Sequence, residues 1–208
     1  MDVKETVRTH SKPLGEEGRN VGLSMNEHHY ELWKWGIGHI SIDQVSSILD
    51  VGCGGGRAIS ILAGFVEKGK VYGIDYSVDM VKLATETNRG EVDKGNVIIS
   101  QSSVSELPFP DGMFDIVTAF ETCYFWPNIE EDLREIRRVL KKDSLLLIVN
   151  EMYEHSLFEE RNAAFNAVEG MNIYSADDYR TMLEGAGFSS VTIDEFPVNN
   201  WICIVAKN

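Results

Sequence analysis

The residues with the clearest capacity for chemistry form one short run, Asp50-Val51-Gly52-Cys53-Gly54-Gly55-Gly56-Arg57, and one acid downstream, Asp75. Glycines at a strand-to-helix turn let the backbone take positive φ and come close to a ligand. An acid at the tip of the following strand, in VYGIDYS, is placed to accept both ribose hydroxyls of a nucleoside. The spacing is D-x-G-x-G-x-G. A dinucleotide fingerprint, G-x-G-x-x-G counted from Gly52, meets Arg57 where its last glycine belongs, and that glycine is needed for close helix–strand packing under a pyrophosphate. The run therefore suits a ligand without a pyrophosphate.

A second group follows a later strand, in AFETCYFWPN. Glu121 reads as a base or orienting group for a bound reactant, or more simply as a ligand-side or capping carboxylate. Tyr124, Phe125 and Trp126 read as pocket wall or as core. His28 and His29 have acid–base chemistry, but an exposed helix face accounts for them more simply. With only Glu27 beside them they form no ligand set of metal-site spacing, so no metal is expected. Cys53, Cys123 and Cys203 are widely separated and include no CxxC pair, which points to buried, reduced thiols rather than a zinc knuckle or a disulfide framework.

These residues need a scaffold, and the apolar runs supply one. Strands are expected at 46–52, 70–75, 96–102, 114–120 and 144–150, with helices at 57–67, 78–87 and 128–141 between them. Ser77 is the expected N-cap of the second helix. Such alternation implies an α/β fold with a mostly parallel, doubly wound sheet buried on both faces. The ending differs: a helix at 175–188 capped by Ser175, then strands at 191–196 and 201–206 around a PVNN turn, which form an antiparallel hairpin. That makes seven strands. Residues 24–40 form an aromatic-rich helix or helix pair, and 154–170 a helical insertion. Tyr30, Trp33 and Trp35 read as a lid or as core.

The chain has 208 residues, 43% of them hydrophobic, which is enough for one domain with a sizeable core. Its formal charge of −14 repels phosphate backbones, so nucleic acid is disfavoured as a partner. RRVLKK at 137–142, the densest basic cluster, reads as the C-terminal turn of a helix, where cations suit the dipole. The first twenty residues are polar, and no apolar run reaches the roughly 18 residues that span a membrane. A cytoplasmic protein without membrane partners is expected. Oligomeric state is not legible.

LDVGCGGG at 49–56, GIDYSVDMVKLA at 73–84, SELPFPDGMFDIVTA at 105–119 and LREIRRVLKK at 133–142 together resemble the motifs of class I methyltransferases, in particular the small-molecule branch called methyltransferase type 11. The resemblance implies a Rossmann-like fold, S-adenosylmethionine as methyl donor and a small-molecule acceptor. It implies that Asp50, Gly52, Cys53 and Gly54 line the methionine part of the donor and that Asp75 holds the ribose. Tyr76 and Met80 would pack beside the adenine, and Ser103 and Val104 would meet its edge. Phe120 and Glu121 would border the methyl group, with Tyr124 and Glu121 the candidates for acceptor contact. Ser103 stands where the family usually carries an acid, and Lys141-Lys142-Asp143-Ser144 replaces a K-P-G-G turn. On this reading residues 1–208 are one methyltransferase domain: a helical lid at 1–45, a donor-binding core at 46–150, the insertion at 151–174, and a terminal helix and hairpin at 175–208. A protein or RNA methyltransferase and a non-catalytic donor-binding subunit are the alternatives on the same fold. Neither the Asp/Asn-Pro-Pro-Tyr/Phe motif of amino-directed base methylation nor the Pro-Cys pair of pyrimidine C5 enzymes is present.

Overall fold

The computed structural model describes residues 2–11 and 13–208. The chain opens with three helices, α1 (Val3–Ser11), α2 (Gly15–His28) and α3 (Tyr30–Ile37). The alternating part follows as β1 (Ser47–Val51), α4 (Arg57–Ala63), β2 (Lys70–Asp75), α5 (Val78–Thr87), α6 (Arg89–Asp93), β3 (Val97–Gln101), β4 (Phe114–Phe120), α7 (Ile129–Val139) and β5 (Leu140–Asn150). It closes with α8 (Glu159–Asn166), α9 (Ala176–Gly185), β6 (Ser190–Phe196) and β7 (Trp201–Lys207). The strand order is β3-β2-β1-β4-β5-β7-β6. The first five strands are parallel, and β7 runs antiparallel to both β5 and β6. This is the mixed, Rossmann-like seven-stranded sheet with a terminal hairpin that the sequence implies.

The sheet is buried on both faces, which explains its continuously apolar strands. Neighbours on β1 point to opposite sides: Leu49 joins a core with α7 and α9 residues such as Leu133 and Leu183, and Ile48 joins a core with Leu32, Ile59 and Ala84 from α3, α4 and α5. Because β1 pairs with β2 on one side and β4 on the other, the connections leaving their carboxyl ends diverge. A crevice opens there, as open α/β sheets require.

Caps set several boundaries. The Ser77 hydroxyl accepts from the Met80 N–H, and Ser175 and Asp178 form a reciprocal capping box on α9. Two helices are shorter than their apolar spacing suggests. α4 stops at Ala63, because the amides of residues 67–69 turn to the Gln44 carbonyl. α7 stops at Val139: Leu140 is extended and pairs with Phe114, so Lys141 and Lys142 belong to β5. The basic cluster is thus not one helical turn. Arg137 and Arg138 close α7, and Lys141 reaches Asp115 at 2.7 Å. Cys53, Cys123 and Cys203 are buried and form no disulfide. Among the described residues no helix is long and apolar enough to cross a membrane.

Trp33 and Trp35 lie in packing rather than over the crevice, and Tyr30 is half-buried beneath the Lys34 and Arg57 side chains. Trp33 is buried against Phe120, and Trp35 sits on Trp201 and Phe196 beside the hairpin. The elements that reach the crevice are α1 and α2. The Ser77 hydroxyl donates to the Pro13 carbonyl at 2.8 Å, the Gly15 amide donates to Asp79, and Asn26 of α2 donates to the Gly55 carbonyl.

α3 is held close to β5 at one point. A Cβ on Gly36 would lie 2.3 Å from Val149 Cγ2. Gly36→Ala should therefore cost about 1–3 kcal/mol in urea unfolding, the usual penalty for overpacking. Adding Val149→Ala should recover part of that loss. Equal losses with and without the second substitution would show that the contact does not set the spacing.

Candidate active site

The loop after β1 is built from alternating glycines in left-handed conformations, Gly52 at φ 71°, Gly54 at 49° and Gly56 at 80°. A Cβ at Gly52 would lie 2.2 Å from Thr122 Oγ1, whereas one at Gly54 would meet nothing within 4 Å. Gly52 is thus wedged against the β4 connection, and Gly54 faces open space. The amides of Gly52 and Cys53 both donate to the Ile74 carbonyl, which ties the loop to β2.

Asp75 closes this arrangement. One carboxylate oxygen accepts the Gly54 N–H at 2.9 Å and the other the Ser77 N–H at 2.8 Å. Burial raises its pKa, opposed by those two hydrogen bonds. Each oxygen keeps a lone pair for a further donor.

A cavity of about 530 Å³ lies over the loop. Of the residues expected to bind a donor, Gly52, Gly54, Asp75, Tyr76, Met80, Ser103, Val104 and Phe120 line it, together with Glu121. Two do not. Asp50 is buried behind the glycines and accepts from the Thr118 hydroxyl at 2.7 Å. Cys53 is also buried, its sulfur packed toward Gly73. Asp50 is turned from the opening as a strand residue bonded to Thr118, and Cys53 by the left-handed glycines on either side of it, so their contribution is to the loop's shape. Desolvation pushes the Asp50 carboxyl up to about 7, with the Thr118 bond opposing and Asp75 adding to the rise. Ser103 accepts from the Ser105 amide at 3.2 Å, which holds the hydroxyl at the cavity rim.

A second cavity, of about 270 Å³, adjoins the first, and Met25, Glu121 and Phe125 belong to both walls. Glu121 is the non-glycine residue that turns the chain at the end of β4, at φ 58°. Such a conformation is held only where surrounding contacts over-determine it. They do: Tyr124 donates to one carboxylate oxygen at 2.5 Å, and the Glu151 amide donates to the other. Tyr124 is buried and lines the second cavity, Phe125 lines both, and Trp126 lines the first.

Opposite Glu121 stands His29. The expectation of an exposed histidine pair holds for His28 and fails for His29, which sits in the tight break between α2 and α3 and is buried. Its Nε2 lies 3.3 Å from Glu151 and 3.9 Å from Glu121. His28 reaches the second Glu151 oxygen at 3.4 Å. Burial disfavours a charge on His29, but the Glu151 bond and both carboxylates outweigh it and raise its pKa. Burial pushes Glu121 up to about 7, with His29 opposing that rise and Glu151 adding to it. For Glu151 burial acts the same way, but the two histidines overcome it and its pKa falls. The ligand atoms of His28, His29 and Glu151 all lie within 4.8 Å of one another, a grouping linear spacing did not reveal. One signal pointed to Glu151: like Asp75 and Glu121, it is an acid at the carboxyl end of a parallel strand.

Residues 49–148 match a family model described as a methyltransferase domain, of type 11. An O-methyltransferase, cnsE, of Penicillium expansum is 29% identical over 161 residues, which are 77% of this chain and 58% of that protein. A demethylmenaquinone methyltransferase of Listeria welshimeri is 34% identical over 110 residues, 52% of this chain and 46% of that protein. The chain thus spans about half the length of these relatives. A crystal structure of a SAM-dependent methyltransferase from Aquifex aeolicus superposes with a TM-score of 0.73 at 24% identity, over 91% of this chain and 97% of that one.

The Asp50 carboxyl supplies a stability test. Its pKa rises from 3.8 to about 7 on folding. The folded state therefore keeps a proton that the unfolded state releases, and stability falls as pH rises from about 4 to 7. Asp50→Asn should relieve that loss. Its melting temperature should exceed wild type at pH 8 by about 2–4 °C for each 1 kcal/mol recovered, with the gain shrinking toward pH 4. A gain independent of pH would refute the buried ionisation.

Proposed function

The chain belongs to the class I S-adenosylmethionine-dependent methyltransferases, in the type 11 branch, and on that premise we propose that it methylates a small-molecule acceptor held in the second cavity. The observation that carries this reading is the shared wall. Two cavities meet at Met25, Glu121 and Phe125, and one of them is bounded by the glycine loop and Asp75. S-adenosylmethionine, when bound, supplies a methyl group already activated by its sulfonium, so the protein's work is alignment and exclusion of water.

The larger cavity fits the donor in its chemistry. Open space above Gly54 leaves room for the ligand to approach the backbone, and Asp75 is a buried carboxylate with lone pairs to spare for ribose hydroxyls. Tyr76, Met80, Ser103 and Val104 supply the adenine wall, and Phe120 and Glu121 border the reacting end. Gly52 shapes the loop, and Asp50 and Cys53 support it from behind. α1 and α2 act as the lid, with residues 46–150 as the donor core and 151–174 as the insertion that backs the acceptor cavity. Glu121, held by Tyr124 and the Glu151 amide, orients the acceptor.

The smaller cavity is lined by aromatic and methionine side chains, including Tyr124, Phe125, Phe165 and Met171. That lining favours a compact organic acceptor over a polymer, and the −14 charge works against nucleic acid.

A metabolite screen for S-adenosylhomocysteine formation tests the activity, with the methylated product identified by mass spectrometry. The donor assignment is tested by calorimetry. A carboxylate bonded to a neutral hydroxyl contributes roughly 1.5–3 kcal/mol. Asp75→Ala should therefore weaken S-adenosylmethionine and S-adenosylhomocysteine by about 10- to 150-fold, and Asp75→Asn by less. Unchanged affinity in a folded Asp75→Ala protein would remove Asp75 from the site.

A further inference from the structure

The acceptor cavity closes its own charges. Glu121 has one oxygen on the Tyr124 hydroxyl and the other on the Glu151 amide. Glu151 faces His29 with one oxygen and His28 with the other. Arg161, which also lines the cavity, donates to Asn162 Oδ1 at 3.0 and 3.2 Å. Among the described residues that line the cavity, a cationic acceptor would find no carboxylate without a partner. An acceptor that enters neutral and protic meets a group able to gain a proton at low cost: the buried His29 imidazole, whose Nε2 faces carboxylates at 3.3 and 3.9 Å and whose Nδ1 has no hydrogen-bond partner among the described residues.

Resting on the reading of this cavity as the acceptor site, we propose that the acceptor is an uncharged, hydroxyl-bearing molecule and that His29 takes the proton of that hydroxyl, making the reaction an O-methylation. The acceptor O–H bond breaks, its proton passes to Nδ1 of His29, the ring nitrogen not engaged by Glu151, and the electron pair left on oxygen forms the new O–CH3 bond. The donor's S–CH3 bond breaks as that bond forms, and sulfur keeps the pair and loses its positive charge. The imidazolium produced lies between Glu151 and Glu121, which stabilise it.

The other groups around His29 are less suited. Tyr124 has its hydroxyl committed to Glu121, and burial holds its pKa well above the ordinary value. Glu121 already receives two donors. His28 is largely exposed. Glu151 is a positioning residue: it fixes the ring and raises its basicity. The groups facing His29 are Glu121 and Tyr124 from the β4 connection, Glu151 after β5, Arg161 of α8 and His28 of α2. A base must be neutral to act, so the rate should fall as pH drops through the raised pKa of His29. Glu151→Gln removes the partner that raises it most, and should move that acid limb to lower pH.

The test uses 4-nitrophenol, whose ionised form absorbs in the visible, added to the complex of the full chain with S-adenosylhomocysteine. The bound phenol should be more ionised than the free phenol at the same pH. His29→Gln should abolish that difference, and Glu151→Gln should shrink it. On any phenol that is turned over, His29→Gln should lower kcat by about 10²- to 10⁴-fold. The inference is overturned if the bound phenol keeps its solution ionisation, or if His29→Gln ionises it as well as wild type. It is overturned too if a protein that binds S-adenosylhomocysteine does not bind the phenol, or if turnover is confined to amines. Loss of the effect in a chelator with recovery on added zinc would reassign His28, His29 and Glu151 to a cation and overturn it likewise. Failure to bind S-adenosylhomocysteine would instead defeat the donor reading, so the two failures are distinguishable.

Discussion

The two hydrogen bonds that Asp75 accepts, from Gly54 and from Ser77, organise the rest of the site. One reaches back to the loop after β1, and the other reaches forward to the N-cap of α5. A single buried carboxylate thus joins the connections that leave two adjacent strands. The same Ser77 bonds Pro13, so the N-terminal helices dock on a turn that Asp75 has already shaped. Burying an acid is costly unless its oxygens are engaged, and here the engaged oxygens are what hold the crevice open in one form.

The same solution recurs along the carboxyl edge of the sheet. Asp75, Glu121 and Glu151 end or follow β2, β4 and β5, and each is held by a backbone amide, an imidazole or a hydroxyl. Parallel strands bring these ends together, which is why residues far apart in sequence share two adjoining cavities. The strained φ of Glu121 turns its carboxylate toward both, and Gly52 makes room for that turn by standing against Thr122. The loop after β1 and the wall between the two cavities are therefore built against each other.

Much of this arrangement is legible in the sequence because it depends on local chemistry. Glycines at 52, 54 and 56 need positive φ, Ser77 and Ser175 cap the helices that follow them, and apolar strands report burial on both faces. Expectations failed where a tertiary contact overrode a local pattern. The periodicity of α7 runs on through Lys141, but pairing of Leu140 with Phe114 draws the chain into β5. α1 is a polar helix with little apolar spacing to announce it. His29 looked like part of a solvated face, because nothing near it in sequence supplies Glu151. Asp50 and Cys53 sit inside the motif that identifies the loop, yet both side chains are buried behind it, Asp50 on the strand and Cys53 between two left-handed glycines. A motif locates a loop, but the backbone conformation of each of its residues decides which side chains face the cavity.

The central claim is that the reacting end of the donor lies at the wall shared by the two cavities. A crystal structure of the chain with S-adenosylhomocysteine tests it most directly. The account predicts the ribose hydroxyls on Asp75, the adenine beside Tyr76 and Met80, and the sulfur at the Glu121–Phe125 edge, facing the cavity that holds His29. A ligand bound elsewhere, or one whose sulfur points away from that cavity, would contradict it.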